Sequence, residues 1–274
     1  MGIAKPKKRS RFRRWLGKRY FIGKRYWQWW RRANQFAKER QQALLPCEVV
    51  THQSILLRKL KDVEMHLQHN KIVNLKLAAA KISGLIIRPG ETFSFWYLVG
   101  APNQRKGYQL GMTLEGGLVK QGVGGGICQM GNLIYWMALH TPLTVVERWR
   151  HSYDVFPDVQ RTLPFGSGAT LAYNYIDLQI KNETQQAFQL QLSFNETHLQ
   201  GAFYSEVPIP FRYRVEERNH IIQGEVWGGY SRHNQIFREI YPIDSPELLR
   251  EELITENHAL MMYQPFLEHP KAEK

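Results

Sequence analysis

The segment Gly124-Gly125-Gly126-Ile127-Cys128-Gln129-Met130 leads directly into an apolar stretch that runs to His140 and ends at Thr141-Pro142. Three successive glycines allow backbone conformations that other residues avoid, and they stop a helix from extending backwards. We therefore expect a helix to begin at or near Cys128 and to end before Pro142. A thiol in the first turn lies beside unpaired backbone N–H groups and the positive end of the helix dipole, and both favour the thiolate. The segment thus indicates a cysteine nucleophile.

Two other interpretations fit the same residues. Free cysteine is among the most buried residue types, so a structural Cys128 behind a glycine-rich turn is an equal alternative. A phosphate-cradling loop is a weaker one. No Gly-Lys-Ser/Thr follows the glycines, and no ribose-binding acidic residue stands where the dinucleotide fingerprint requires it.

The length of the chain and its distribution of charge predict a folded body with a basic N-terminal segment. At 274 residues the chain is long enough for one domain with a sizeable core plus extensions. Its 37 Lys and Arg residues against 24 Asp and Glu residues give a net charge of +13. Fifteen of the cations and one acidic residue, Glu39, fall in residues 1–40, which leaves 22 basic and 23 acidic residues beyond. The body is therefore close to neutral.

Cysteine content and targeting signals bear on the cellular compartment of the protein. Cys47 and Cys128 are the two cysteines of the chain, which argues against a disulfide framework and a cysteine-rich zinc module but leaves one disulfide open. The N-terminus has basic residues without an apolar h-region or a small-residue cleavage site. No run of about 20 apolar residues would span a membrane. These features predict a cytoplasmic protein, peripheral at the inner membrane face if the basic segment binds lipid.

Residues 5–40 combine basic and aromatic side chains. One stripe of the expected helix carries five large apolar residues: Phe12, Leu16, Tyr20, Trp27 and Trp30. A basic amphipathic helix rich in tryptophan is typical of an anionic membrane surface, where the rings lie at headgroup depth and the cations meet lipid phosphate. The alternatives are a basic extension whose aromatic residues pack back on the body and, weakest, nucleic-acid binding.

A change of composition at residues 43–50 marks the start of the body. We predict an N-terminal arm over 1–43, a central domain over 44–205 and a C-terminal α/β extension over 206–274.

The pattern from Ser54 to Leu85 is helical and predicts two apolar helices broken near Asn70. Within it, His66 and His69 lie three residues apart with Glu64 before them, a spacing that suits a metal ion. A solvated helix face is the preferred interpretation because no third ligand is identifiable. No metal or other cofactor is therefore predicted.

Period-two alternation predicts strands over Glu91–Tyr97, Leu143–Val155 and Leu171–Ile180, with two more over residues 186–204. The C-terminal part mixes short strands with a charged helix at Glu247–Ile254. We predict an α+β fold. In it the glycine-rich loop leads into a buried helix that packs on a mainly antiparallel sheet, preceded by a basic N-terminal helical arm.

Simple geometry places a histidine near the cysteine. His151 falls on the apolar face of its predicted strand. A helix over residues 128–140 is about 18 Å long, and a strand over residues 144–151 covers about 23 Å. If the two pack antiparallel, His151 returns to the level of Cys128, so we predict a Cys128–His151 pair over a histidine satisfied in the core.

A third group usually orients the base of such a pair. Asp177, on the predicted strand Leu171–Ile180, is our candidate, and Asn174 and Asp154 are its rivals. The plain alternative for Asp177 is an exposed strand carboxylate.

Several of these segments resemble the VanW family of bacterial proteins. The resemblance spans roughly residues 70–195, and its most specific motifs are Pro-Gly-Glu-Thr-Phe-Ser-Phe and Gly-Gly-Gly-Ile-Cys-Gln. The segments that carry it are Asn74–Ala80, Arg88–Trp96, Gly124–Met130, His140–Thr144, Val146–Arg148 and Ile176–Asn182.

The resemblance implies association with the bacterial envelope and with glycopeptide resistance. It also implies L,D-transpeptidation of peptidoglycan peptides, to which family domains in larger envelope proteins are linked, and so a peptidoglycan peptide or precursor as partner. Such a reaction needs a thiolate, an oxyanion site and a base for the acceptor amine. Cys128 and His151 fit the first and last of these roles. Backbone N–H groups at Gly125 and Gly126, with the side chain of Gln129, fit the oxyanion and substrate-binding role.

Two departures from the family pattern matter. An acidic residue usually stands just before the position of Ala169-Thr170, where this chain has Gly168, so a role for that acid does not carry over. Peptidoglycan crosslinking takes place outside the membrane, whereas this sequence shows no export signal. A cytoplasmic member would have to act on precursors.

Overall fold

A computed structural model describes residues 10–57, 64–155 and 163–265. The α+β class predicted from the sequence is confirmed. The helices are α1 (Arg11–Arg31), α2 (Met65–Ile82), α3 (Phe95–Val99) and α4 (Cys128–Ala138). The strands are β1 (Cys47–Ile55), β2 (Leu85–Ile87), β3 (Thr92–Ser94), β4 (Leu110–Glu115), β5 (Leu118–Val123), β6 (Thr144–Glu147), β7 (Tyr153–Asp154), β8 (Gln179–Lys181), β9 (Phe188–Phe194), β10 (His198–Ser205), β11 (Phe211–Gly224), β12 (Tyr230–Pro242) and β13 (Arg250–Met261).

A four-stranded antiparallel sheet, in the order β1-β10-β9-β2, supports the cysteine helix. Helix α4 packs against β1 and β10. The approach is close because Gly201 of β10 has no side chain, and a Cβ there would lie 2.6 Å from Cε of Met137. Leu133 and Met137 are buried in this layer. The predicted buried helix on a mainly antiparallel sheet is therefore what the chain forms.

Two smaller β units complete the central region. Strands β3, β8 and β6 form an antiparallel sheet in the order β3-β8-β6, and β4 pairs with β5 in a hairpin that turns at Gly116-Gly117. The hairpin ends at Val123 and passes directly into the glycine loop. The loop is thus held at the end of a paired strand.

The C-terminal region adds a further sheet, β11-β12-β13, whose last strand pairs in parallel with β7. The charged helix predicted at Glu247–Ile254 is wrong, because most of that segment lies in strand β13. The described residues between 206 and 265 contain no helix. The charges that suggested a solvated helix face instead form cross-strand ion pairs, Arg238 with Glu252 and Arg218 with Glu251.

The N-terminal arm is helical, but its last turns belong to the core. Trp29 of α1, and Phe36 and Ala37 after it, lie in the main buried apolar cluster. Arg25 is also buried and forms an ion pair with Glu147 of β6. Side-chain packing therefore crosses the predicted boundary between arm and body.

The helices predicted over Ser54–Leu85 need correction. The start of that range ends β1, and α2 runs without interruption through Asn70, so the predicted break is wrong. Residues 58–63 lie outside the described residues. Asn70 keeps helical geometry while its side-chain amide donates to the backbone oxygen of Leu110 at 2.9 Å. A tertiary contact thus offsets its weak helix propensity.

Three predicted strands are shorter than expected. The one over Glu91–Tyr97 gives way to α3 after three residues, and the one over Leu143–Val155 is divided into β6 and β7. Most of Leu171–Ile180 is irregular. Within it, Ala172 and Ile176 close a tight turn with reciprocal backbone hydrogen bonds of 2.9 and 3.0 Å. Period-two alternation marked the buried face of these segments but not where strand pairing stops.

Candidate functional site

The glycine loop is shaped by close backbone contacts. Gly126 has a φ of +88°, which other residues rarely adopt, and a Cβ there would lie 2.2 Å from Cγ of Lys71. A Cβ on Gly125 would lie 2.2 Å from the carbonyl carbon of Gly111. The buried side chain of Asn74 fixes the loop, because its amide donates to the backbone oxygens of Gly125 and Gln109 at 3.0 Å each. Only glycines fit this crossing of loop, hairpin and helix.

The role of Asn74 as the anchor of the loop was not predicted from the sequence. A buried asparagine on the apolar face of a helix is the signal that would have pointed to it, since a buried amide needs hydrogen-bond partners.

Cys128 is the first residue of α4, as predicted. Its Sγ accepts a hydrogen bond from the backbone nitrogen of Leu171 at 3.4 Å and donates to the oxygen of the same residue at 3.7 Å. Burial raises the pKa of the thiol, and the hydrogen bonds from the backbone of Leu171 and of Cys128 itself only partly oppose this. The thiolate expected from the helix N-terminus is therefore disfavoured in this conformation, because burial outweighs the helix terminus.

A short segment lies between the cysteine helix and the histidine. Residues 168–171 follow the first turns of α4: the backbone nitrogen of Ala169 donates to Oδ1 of Asn132 at 2.7 Å, and Leu171 covers Gly131. On its other side the segment meets the chain after β6, where the nitrogen of Thr170 donates to the oxygen of Trp149 at 2.7 Å. The predicted direct packing of the 144–151 strand on α4 fails beyond β6 for this reason.

Arg148 ties the same segment to the strand side. Its guanidinium donates to the backbone oxygens of Gly168, at 2.8 Å, and Gly166, and it lies 4.8 Å from the ring of Tyr135. At Gly168 a Cβ would lie 2.7 Å from Oδ1 of Asn132. A larger residue there would displace the side chain that accepts from the backbone nitrogen of Ala169.

His151 lines a cleft of about 200 Å³ on the far side of residues 168–171. The lining residues come from the hairpin turn, from the chain between β6 and β7, and from the segment over α4: Leu114, Gly116, Gly117, Arg150, His151, Ser152, Tyr153, Val155, Thr170 and Ile176. Burial, and more weakly the charge of Arg150, lower the pKa of His151. The imidazole is therefore neutral near pH 7 and able to accept a proton.

The described residues include no hydrogen bond from His151 to Cys128 or to any of the three expected orienting residues. Asp154 instead accepts from Tyr263 at 2.9 Å and lies 3.3 Å from Arg232. The side chain of Asn174 is buried without a hydrogen-bond partner among the described residues. Among the described residues Cys128 therefore contacts Leu171, whereas His151 lines a cleft together with the neighbouring Thr170.

Asp177 is fully buried and its oxygens are already used. They accept from the hydroxyl of Ser94 at 2.5 Å, from the backbone nitrogens of Trp96 and Leu178 at 3.0 Å each, and from the amide of Gln179 at 3.2 Å. Burial raises the pKa of Asp177 to about 6. The alternative prediction that Asp177 is an exposed strand carboxylate is wrong, because this buried carboxyl group organises the junction of β3, α3 and β8.

The side chain of Gln129 faces the sheet. Its amide donates to Oγ of Ser54 at 2.9 Å and to the backbone oxygen of Ile55 at 2.8 Å. In this arrangement it connects α4 to β1 and is not directed at the cleft of His151.

The remaining expectations concern cysteine pairing and metal ions. Cys47 and Cys128 are both free, so the disulfide left open by the sequence is not formed. The described part of the chain holds no group of three or more His, Cys, Asp or Glu side chains arranged for a metal ion. Nδ1 of the exposed His66 lies 3.0 Å from a carboxylate oxygen of Glu64.

These features define an α+β protein organised around a glycine loop, a helix that begins with cysteine and a histidine-lined cleft behind one covering segment. Residues 70–204 match the sequence profile of the family described as VanW like protein. The chain is 32% identical over 200 residues to Vancomycin B-type resistance protein VanW of Enterococcus faecalis, covering 73% of this chain and 72% of that relative. The chain therefore belongs to the VanW family.

A second relative matches this chain over a shorter region. Uncharacterized protein YoaR of Bacillus subtilis is 34% identical over 113 residues, which is 41% of this chain and 36% of the relative. This chain thus matches about a third of that protein's length. No solved structure gives a significant match.

Proposed function

We propose that this protein acts in glycopeptide resistance at the bacterial cell wall, by cysteine-dependent acyl transfer on peptidoglycan peptides or their precursors. The relative from Enterococcus faecalis is named as a vancomycin resistance protein, and the proposal extends that role to this chain. The observation that carries the chemistry is the position of Cys128. Cys128 is the first residue of α4 and forms hydrogen bonds with Leu171. The residue before Leu171, Thr170, lies in the wall of the cleft that His151 also lines.

The reaction would proceed through a thioester. His151 takes the proton of the Cys128 thiol as the sulfur attacks the carbonyl carbon of a peptide bond, the C–N bond breaks, and the leaving amine takes that proton from the imidazolium. An acceptor amine then gives a proton to the neutral His151 and attacks the thioester carbonyl. A new amide forms, and Cys128 leaves as the thiolate and takes the proton back from His151. Protons and electrons balance without an oxidant, a reductant or a nucleotide.

The covering segment must move for this chemistry to occur. In the present conformation Leu171 uses both hydrogen-bonding capacities of the thiol, and residues 168–171 separate the thiol from His151. A displacement of Thr170 and Leu171 would open Cys128 to the cleft and remove the hydrogen bonds that hold it. Substrate binding supplies a reason for such movement, because the hydroxyl of Thr170 is buried with no partner among the described residues. A buried unpaired hydroxyl costs about 1–3 kcal/mol until a ligand satisfies it.

A structural cysteine in a non-catalytic binding protein is the second candidate. The observation that favours it is the pair of hydrogen bonds between Cys128 and Leu171, together with the raised pKa of the thiol. In that case the cleft binds a ligand and Cys128 only fastens α4 to the segment above it.

Replacing Cys128 with Ser separates the two. Serine keeps the shape and the hydrogen bonds but stays protonated near neutral pH, so an acyl-transfer enzyme loses its activity while its fold persists. Wild type, Cys128→Ser and the control Cys47→Ser would be incubated with peptidoglycan stem peptides and analysed by mass spectrometry. We expect a thioester adduct or a crosslinked product from wild type and Cys47→Ser only.

His151→Gln tests the base. We expect adduct to form more slowly and transfer to the acceptor to fail. If no protein gives adduct or product and Cys128→Ser fully restores any resistance phenotype, the enzyme proposal is overturned and the structural role stands.

A further inference from the structure

Helix α1 has two faces with different partners. On the face toward the body, Arg25 pairs with Glu147, Trp29 is buried against the ring of Tyr97 with centroids 5.7 Å apart, and Lys18 lies 5.5 Å from the ring of Tyr175. These contacts fix the rotation of the helix about its own axis. The opposite face must therefore point away from the body.

That opposite face carries the aromatic stripe found in the sequence. At 100° per residue its members fall within a sector of roughly 80°, centred about 140° from Trp29. Each of the five side chains is between 52% and 79% exposed: Phe12, Leu16, Tyr20, Trp27 and Trp30. The packing alternative is thus right for Trp29 and its neighbours on the inner face, but it leaves the whole outer stripe uncovered.

Positive charge accompanies the stripe along its full length. Four exposed cations of α1 fall, at 100° per residue, within about 80° of the centre of the stripe: Arg13, Arg19, Lys24 and Arg31. No acidic residue occurs between residues 10 and 38. Arg31 lies 5.2 Å from the ring of Trp27, and Arg19 lies 5.6 Å from the ring of Trp15. Cations therefore stand beside exposed rings, as at the headgroup level of a bilayer.

We propose that the outer face of α1 binds an anionic lipid surface. The helix lies in the plane of the interface, with its aromatic stripe at headgroup depth and the folded body on the side away from the lipid. The described helices include none that is long and apolar enough to cross a membrane.

Charge complementarity and the stripe together favour lipid over nucleic acid. Phosphate attraction alone would account for the cations with either partner. Lipid, however, also buries five apolar side chains aligned on one face of a 21-residue helix, which is about 30 Å long. A nucleic acid stacks on individual rings and needs no such continuous stripe.

Vesicle flotation tests the proposal with the full chain. Vesicles of phosphatidylcholine and phosphatidylglycerol in a 7:3 ratio are compared with vesicles of phosphatidylcholine alone, at 0.1 M and 1 M salt. We expect binding to the anionic vesicles, a blue shift of tryptophan emission, and loss of most binding at high salt.

Two double variants and their matched controls locate the surface. Lys24→Gln with Arg31→Gln should weaken binding about 25-fold, since each cation near an anionic surface contributes about fivefold. Trp27→Gln with Trp30→Gln should weaken binding and abolish part of the blue shift. Controls on the body, Arg105→Gln and Leu249→Gln, change exposed residues and should bind as wild type does. Circular dichroism would establish that each variant is folded.

Three results would overturn the proposal: equal binding to neutral and anionic vesicles, controls that weaken binding as much as the α1 variants, and tighter binding of duplex DNA than of anionic vesicles at matched salt. The last result would assign the same face to nucleic acid.

Discussion

The Sγ atom of Cys128 lies 3.4 Å from the backbone nitrogen of Leu171, so the candidate nucleophile is held by the segment that separates it from His151. Leu171 is itself buried over Gly131. The reactivity of the thiol is therefore coupled to the packing of one leucine side chain.

We expect Cys128 to react with a thiol reagent more slowly than Cys47 at pH 8, because burial raises its pKa and Leu171 covers it. This reverses the order that the helix N-terminus alone suggests. Leu171→Ala should accelerate labelling of Cys128 and leave Cys47 unchanged. Leu192→Ala, which also truncates a buried leucine, controls for a general loss of stability of about 2–5 kcal/mol. Equal acceleration by both leucine variants would show that the segment has no special role.

The largely buried ion pair between Arg25 and Glu147 connects the arm to the body. Removing one partner of such a pair typically costs about 3–5 kcal/mol, because the other charge stays buried. We expect Arg25→Met to lower the free energy of unfolding by about 3 kcal/mol and the double variant with Glu147→Gln to recover part of that loss. Arg31→Met, at an exposed site on the same helix, should change it by less than about 0.5 kcal/mol. Urea unfolding measures all four proteins.

Truncation gives a second measure of the same coupling. A protein that starts near Leu44 lacks Trp29, Phe36 and Ala37, which belong to the main core. We expect it to melt at a lower temperature or to aggregate, contrary to an independent arm. A truncated protein with the wild-type melting temperature would show that the arm contributes nothing to the core.

Local signals in the sequence were sufficient for the cysteine helix. The glycines and Pro142 limit a helix by their own backbone preferences, so the start of α4 at Cys128 could be predicted without knowledge of the rest of the chain. Local sequence patterns were likewise sufficient to predict the α+β class and the aromatic stripe on α1.

Distant contacts decided what the sequence did not reveal. The position of His151 depends on residues 168–171, which enter between α4 and the strand from a later part of the chain. The charged segment before Ile254 forms a strand in which Glu252 pairs with Arg238 of the adjacent β12 and Glu251 pairs with Arg218 of β11, one strand further away. Periodicity describes one element at a time and carries no information about what packs between two elements.

The buried carboxyl group of Asp177 should make stability depend on pH. Its pKa is about 6 in the folded protein, against an ordinary value of 3.8. Between these values the unfolded state has lost the proton that the folded state still holds, so the free energy of unfolding falls as pH rises. The contribution of Asp177 to the free energy of unfolding is fully present below about pH 4 and is lost above about pH 6. The free energy of unfolding changes by about 3 kcal/mol over this range.

Urea unfolding of wild type and Asp177→Asn from pH 3.5 to 7 isolates this contribution. We expect the stability of wild type relative to the variant to decline over that range. Asp244→Asn, at an exposed position, should show a difference from wild type that hardly varies with pH. A relative stability of wild type that rises with pH would mean that the four donors around Asp177 outweigh its burial and hold its pKa below the ordinary value.

Two glycine-to-alanine variants separate the cost of backbone strain from the cost of a steric clash in the glycine loop. Gly90 and Gly126 have similar φ angles, +82° and +88°, but a Cβ on Gly90 meets nothing within 4 Å, whereas one on Gly126 would lie 2.2 Å from Cγ of Lys71. Gly90→Ala should therefore cost only the backbone strain, about 1–2 kcal/mol. Gly126→Ala should cost a further 1–3 kcal/mol or so, because the loop or α2 must shift.

That shift should also reach the cysteine. Gly126 lies two residues before Cys128, and the loop sets the position of the first turn of α4. We expect Gly126→Ala to alter the labelling rate of Cys128, while Gly90→Ala, which lies in the turn before β3, leaves it unchanged. Equal unfolding free energies for the two variants, with identical labelling rates, would mean that the loop gives way without moving α4 and that its close fit to Lys71 does not position the thiol.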